Sequence, residues 1–249
     1  MDQPMAALDE WREIQVFRAK IAAEADRTVD MLESMKALVE VIDAEDLTRE
    51  ERDLFYAACK RLSESHRAAW RIISSTDLKQ GGKDKCYNSI LQKYRSKIES
   101  ELSSICCSIV DLLNSHMIPR STTAETKVFC FKMKADYLRY LAEIRTSTER
   151  QDATDSALLA YKSARIIAVA KLAPAHPMRL GLALNMSVFY FEILNCPEKA
   201  CMLAKQTFDE AIVDLDTSTE ESAAEEAGLI LQILRENFSV WTLQIDEDS

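Results

Sequence analysis

At five points where a helix could open, a hydroxyl or amide side chain stands three places before a glutamate. The sites are Thr48-x-x-Glu51, Thr122-x-x-Glu125, Thr146-x-x-Glu149, Asn195-x-x-Glu198 and Thr217-x-x-Glu220. In such a capping box, the first side chain bonds the N–H three residues on and the glutamate reaches back, so each marks a helix start. Breakers stand where these helices should end. Gly81-Gly82 stops the helix opened at Thr48, Pro119 ends a second long helix from Lys85 to about Met117, and Pro174 follows the helix opened at Thr146. Pro177 and Pro197 suit the first turn of a helix, where a missing N–H costs nothing. With only 4 Gly and 5 Pro in 249 residues, little else interrupts the chain. The expectation is an all-α fold: one domain over 1–245 of about nine antiparallel helices with short joins, then a short acidic tail at 246–249.

Two stretches stay open at this level. From Glu10 to about Val41, apolar residues recur at Val16, Ile21, Ala25, Val29, Leu32, Met35 and Leu38. No Gly or Pro says whether this is one helix or two. Residues 1–9 have few anchors and are expected to fray.

The net charge of -10 and pI near 5.0 argue against a nucleic-acid partner, which calls for a basic surface. The N-terminus has neither the cationic start nor the apolar core of a signal peptide, and no apolar run approaches the ~18 residues of a membrane span. Seven cysteines include no C-x-x-C pair and fit small buried thiols in a reducing compartment. His66, His116 and His176 share no metal-ligand spacing with them, so no metal or cofactor is expected. A soluble cytoplasmic or nucleocytoplasmic protein is the expectation.

Lys127 to Ile144 reads as a helix whose apolar residues Val128, Phe131, Ala135, Leu138 and Ala142 recur at spacings of three and four. Lys132 and Arg139, seven apart, project from one stripe; Asp136 lies between them and Tyr140 at its edge. The helix opened at Thr48 repeats the arrangement with Lys60 and Arg67, and Arg71 follows four residues later. A solvated face explains either stripe alone. Together they suit one doubly charged anion such as a phosphate, which Arg binds bidentately at ~1.5–3 kcal/mol per charge-assisted hydrogen bond.

Farther on, Leu184, Val188 and Phe191 recur at helical spacing, as do Ile230, Ile233, Asn237, Val240 and Trp241. Core packing explains most of them. Asn185 and Asn237 are amides on largely apolar faces, able to bond both C=O and N–H of an extended backbone. Both lie in N-x-S sequons in mid-helix, where glycosylation is not expected. There is no glycine-rich phosphate loop, no G-x-S-x-G and no H-E-x-x-H, so no enzyme is expected.

The blocks RAAWRIISS (67–75), KVFCFKMKADYLRYLAEI (127–144), HPMRLGLALNMSVFYFEILN (176–195) and LRENFSVWT (234–242) resemble the 14-3-3 proteins, and the resemblance runs from about Arg18 to Thr242. It implies a cup-shaped dimer of nine-helix subunits that binds phosphoserine and phosphothreonine peptides in a groove. By that resemblance the phosphate pocket falls on Lys60, Arg67, Arg139 and Tyr140, with Lys132 nearby. The asparagines that grip the peptide backbone fall on Asn185 and Asn237. The apolar groove wall falls on Leu184, Val188, Leu229, Ile233 and Val240, with Glu192 and Trp241 adjoining. The dimer seam falls on Ile21 and Ala25, on the cross-subunit pairs Arg27 with Glu101 and Asp30 with Lys97, and on Tyr94. The implied partners are phosphorylated client proteins and a second subunit, identical or paralogous.

The sequence also departs from the family's pattern. His66 stands where a second Arg is usual, an expected weakening or pH sensitivity of the basic field. Ser63-Glu64-Ser65 replaces a small apolar, Gly-containing stretch, and Ala69 replaces a frequent serine. Cys130, Ala135, Leu138 and Met186 replace commoner residues. The tail beyond Trp241 is short. LLAYKSA and KLAPAHP look most like plant members. The expected function is therefore a phosphopeptide-binding adaptor that clamps, masks or relocates clients. The alternative is a phosphate-independent helical scaffold, which predicts a repeat period near 34 residues that the chain does not display.

Overall fold

The computed structural model describes residues 3–41, 47–80, 85–216 and 221–247. Among the described residues there are nine helices and no strand: α1 Gln3–Glu24, α2 Thr28–Val41, α3 Arg49–Gln80, α4 Lys85–Leu112, α5 Ala124–Ile144, α6 Ser147–Lys171, α7 Pro177–Glu192, α8 Pro197–Leu215 and α9 Glu221–Glu247. They gather into two compact units, α1–α4 up to Ser121 and α5–α9 from Thr122.

The unbroken apolar pattern at the N-terminus resolves into two helices. Asp26 takes a left-handed conformation, with φ 54°, and the Arg27 N–H reaches back to the carbonyl of Ala22 at 2.8 Å. Aspartate tolerates that region better than most side chains, so it ends α1 without a glycine. Helix α1 starts at Gln3, earlier than the fraying expected for residues 1–9.

The Thr48 box forms as read. The Thr48 N–H donates to Glu51 Oε2 at 2.8 Å and the Glu51 N–H to Thr48 Oγ1 at 3.2 Å. Glu51 is also gripped by Arg12 of α1, Nε to Oε1 at 2.5 Å and Nη2 to Oε2 at 2.6 Å. One buried carboxylate therefore caps α3 and ties α1 to it. Its pKa lies below the usual range: burial raises it, and the Arg12 and Thr48 hydrogen bonds more than reverse that.

Three other start signals act differently. The box at Thr122 is displaced by one residue: Thr123 caps α5 through the Thr126 N–H, a neighbour with the same i, i+3 spacing. Thr146 is the N-cap of α6, but with Ser147 at φ 52° its hydroxyl makes no capping bond. Asn195, read as an opener, sits at φ 48° in the turn that closes α7, and Cys196 is the N-cap of α8. A left-handed asparagine is a good helix stop, and that use excludes capping the next helix. The box at Thr217 and the stop at Gly81-Gly82 lie outside the described residues.

Pro119 does not end its helix where it stands. After α4 the chain passes through a π-turn at Leu113–Met117 and one further turn, Ile118–Arg120. The wider turn suits a proline that cannot donate to the carbonyl behind it. Helix α9 runs to Glu247, two residues into the expected tail.

The core of the first unit is built from Met31, Leu32, Met35 and Leu38 of α2 against Phe55 and Cys59 of α3 and Leu102, Cys106 and Ile109 of α4. In the second unit, α6 presents Ala153, Ala157, Ala160, Ala164 and Ala168 as a buried small-residue seam, and α5 lies close along it. A second cluster joins α7, α8 and α9 through Leu180, Ala200, Ala204, Leu231, Leu234 and Trp241. Among the described residues the cysteines are free thiols, and no helix is long and apolar enough to cross a membrane.

Candidate functional site

Helix α5 is buried on both faces. Val128, Ala135, Leu138 and Ala142 face the core as their spacing requires, but the charged stripe is covered as well. Lys132 is 9% exposed, Asp136 4% and Arg139 6%. The solvated face that would explain such a stripe by itself does not hold here. Three burdened side chains in a dry setting demand partners.

Asp136 supplies them. Its Oδ2 accepts from Lys132 Nζ at 2.9 Å, its Oδ1 from the hydroxyl of Tyr161 on α6 at 2.5 Å, and both oxygens from Asn185 Nδ2 of α7 at 2.9 Å. Burial raises the Asp136 pKa, yet Lys132, Arg139 and the Tyr161 hydrogen bond outweigh it and hold it below the ordinary carboxylate range. An ionised carboxylate only accepts, so it fixes the Asn185 amide with its NH₂ turned inward and its carbonyl oxygen turned away. Asn185 thus presents an acceptor, the group that takes a peptide N–H.

Arg139 extends the network. Its Nε donates to Tyr161 Oη at 3.4 Å, and its Nη1 lies 3.3 Å from Glu143 and 3.9 Å from Glu192. Its guanidinium also lies over the ring of Tyr140, 4.8 Å from the centroid. Burial lowers its pKa, and the oxygens of Tyr161 and Asp136 reverse that and raise it, so Arg139 stays charged at any working pH. The Tyr161 hydroxyl is pushed up by burial and by Asp136, and remains a proton donor.

The basic pair of the first unit lies in a wetter setting. Lys60 is 3.7 Å from Glu64, one turn on, with side chains 49% and 52% exposed. Its Nζ also lies 6.0 Å from the centroid of the Tyr56 ring. Arg67 is partly buried on the same helix. Ser63 is buried and donates to the carbonyl of Cys59 at 2.9 Å, so its polarity is absorbed within α3. The His66 ring bonds the carbonyl of Leu62 through Nδ1 at 2.9 Å, and its Nε2 lies 3.9 Å from Glu101 on α4. A cleft of about 740 Å³ lies at the turn between α1 and α2, lined by Arg27, Asp30, Arg61, Glu64 and Ser65 among others.

The apolar candidates divide by exposure. Leu229, Ile233 and Val240 stand exposed along one face of α9, and Leu184 and Val188 lie partly buried on α7 beside its core cluster. Asn237 is partly buried between Ile233 and Val240. Trp241 is instead a core residue, buried and stacked on Phe191 with centroids 5.0 Å apart.

The candidate seam residues Ile21, Ala25 and Tyr94 are exposed, as are Phe17, Val29 and Ile90. Within one chain Arg27 pairs with Asp30, and Lys97 lies 3.9 Å from Glu101.

Sequence reasoning placed Lys132, Arg139, Tyr140 and Asn185 in one site, and the second unit brings them together. Lys60 and Arg67 belong to the first unit. Missed altogether were Tyr161, which no motif marks, and Glu143, one turn beyond Arg139. Asp136 was legible as a stripe member, though its role as the hub was not. Among the described residues no group of His, Cys, Asp or Glu could hold a metal ion.

The 14-3-3 protein family matches residues 18–242. The chain is 52% identical to the 14-3-3-like protein GF14-E of Oryza sativa over 241 residues, spanning 96% of this chain and 91% of the rice protein. It is 51% identical to GF14-12 of Zea mays over 98% of this chain and 94% of that protein. It is 52% identical to 14-3-3 protein 4 of Solanum lycopersicum over 96% and 92%. The chain belongs to the 14-3-3 family, and these relatives are plant proteins. It is accordingly a phosphopeptide-binding adaptor; proteins of this family in general bind phosphorylated clients and form dimers.

Proposed function

We propose that the phosphate of a client phosphoserine or phosphothreonine is held by Lys60, Arg67, Arg139 and Tyr140, with Lys132 nearby. The observation that carries this reading is a charge balance. The ion pairs around Arg139 and Lys132 join these two cations to three carboxylates, Asp136, Glu143 and Glu192. That cluster alone does not attract a dianion, so the phosphate requires the cations of α3 as well. Asn185 and Asn237 then hold the flanking backbone extended. Leu184, Val188, Leu229, Ile233 and Val240 receive apolar side chains of the peptide, with Glu192 and Trp241 at the margin.

The protein performs no chemistry of its own; it clamps, masks or relocates its clients in the cytoplasm and nucleus. It acts as a homodimer or as a heterodimer with a paralogue, through the exposed apolar residues around Ile21, Ala25 and Tyr94. On contact, Arg27 and Asp30 exchange their mutual pair for Glu101 and Lys97 of the second subunit. Two grooves on one dimer give avidity for doubly phosphorylated clients.

The test is the affinity of one fluorescent peptide, Arg-Ser-x-pSer-x-Pro in type, against its unphosphorylated twin. A preference of roughly a hundredfold that weakens with salt is expected. Arg67→Ala should remove that preference without unfolding the protein. Equal affinity for both peptides would overturn the reading.

A further inference from the structure

Helix α3 carries its candidate phosphate ligands with a carboxylate set between them. Glu64 lies four residues after Lys60 and three before Arg67, about 6 Å and 4.5 Å along the axis, and within roughly 60° of both around it. Its Oε1 is 3.7 Å from Lys60 Nζ, and both side chains are about half exposed. We infer that Glu64 is a charge filter on the phosphopeptide site: it disfavours clients with acidic residues beside the phosphorylated one and favours those with a basic residue there.

The inference rests on Lys60 contacting the phosphate, and its physics is short-range. A phosphate oxygen in hydrogen-bond contact with Lys60 lies at most about 7 Å from the Glu64 carboxylate, inside the ~8 Å screening length of physiological salt. The Lys60–Glu64 contact is long and exposed, so a phosphate displaces it readily. The carboxylate stays on the same turn afterwards, without its cation. A lysine or arginine of the client that reaches it restores the balance. A glutamate or aspartate adds a second repulsion to the one the phosphate already meets. The cleft at the α1–α2 turn, which Glu64 also borders, holds Arg27 and Arg61 opposed by Asp26 and Asp30, so it offers no surplus of positive charge to take Glu64 away from this role.

Two phosphopeptides that differ at one residue next to the phosphoserine, Lys in one and Glu in the other, provide the test. Their dissociation constants are measured by fluorescence anisotropy on the full chain, on Glu64→Gln and on Lys60→Ala, at about 50 and 200 mM salt. The wild-type protein should prefer the Lys peptide about tenfold at the lower salt. Glu64→Gln should cut that ratio at least threefold, chiefly by tightening the Glu peptide, and the difference should shrink at the higher salt. Glutamine keeps the size and helix propensity of glutamate, so the fold is preserved. An unchanged ratio in Glu64→Gln, with binding lost in Lys60→Ala, overturns the filter and leaves the pocket standing. Wild-type binding by Lys60→Ala overturns the pocket reading and the filter with it.

Discussion

Two helices of this protein carry a lysine and an arginine seven residues apart, with a carboxylate between them, and fold the pattern into opposite environments. On α5, Lys132, Asp136 and Arg139 are buried and joined to Tyr161, Asn185 and Glu143. On α3, Lys60 and Glu64 are half in water at a loose 3.7 Å. The first set is a structural framework that also orients candidate ligands; the second is half-exposed charge. Identical spacing therefore tells which residues share a stripe, and nothing about what the stripe faces.

The contrast is sharpest in stability. Asp136→Ala leaves Lys132 and Arg139 buried without their shared carboxylate and should cost about 3–5 kcal/mol, read as a fall in the urea midpoint. A loss below about 1 kcal/mol would mean that water or a neighbouring group takes over the hub.

Acid should come next. Asp136 and Glu51 both titrate below their ordinary range in the folded state, so the folded protein binds fewer protons than the unfolded one around pH 4. Their stabilisation is fully present above roughly pH 4.5 and is lost as pH falls through the folded values. Urea midpoints should be flat from about pH 7 to 5 and fall below about 4. A fall that begins near pH 6 would point to a histidine instead.

Smallest is Lys60→Ala, which removes an exposed partner and should change stability by less than about 0.5 kcal/mol. A larger loss by the same melt would place Lys60 in a framework like that of α5.

Much of this was legible beforehand for a definite reason. Helix periodicity and capping chemistry are local, so the Thr48 box, the helix to Gln80 and the Pro177 start follow from residues within four positions of one another. The failures were local competitions with two near-equal answers: Thr123 over Thr122, and Asn195 as a stop over Asn195 as a cap. The break at Asp26 needed a left-handed residue that composition does not announce. In the site, Lys132, Arg139 and Asn185 were found by spacing and resemblance, while Tyr161 was not, because a tyrosine inside an alanine-rich helix carries no signal of the carboxylate it will meet.

The sequence by itself determined that the chain is helical throughout, where most helices begin, and that two basic stripes exist. These depend on backbone hydrogen bonds and on the 3.6-residue period, which act within a few residues. Only the tertiary structure decided which stripe would be dry, that Asp136 would accept from three side chains, one each of α5, α6 and α7, and that Trp241 would stack in the core. Burial is a property of what packs against a helix, and for α5 that partner is the alanine seam of α6. The small residues there let the backbones close in, exclude water from Arg139 and Asp136, and turn a pattern of charges into a fixed network.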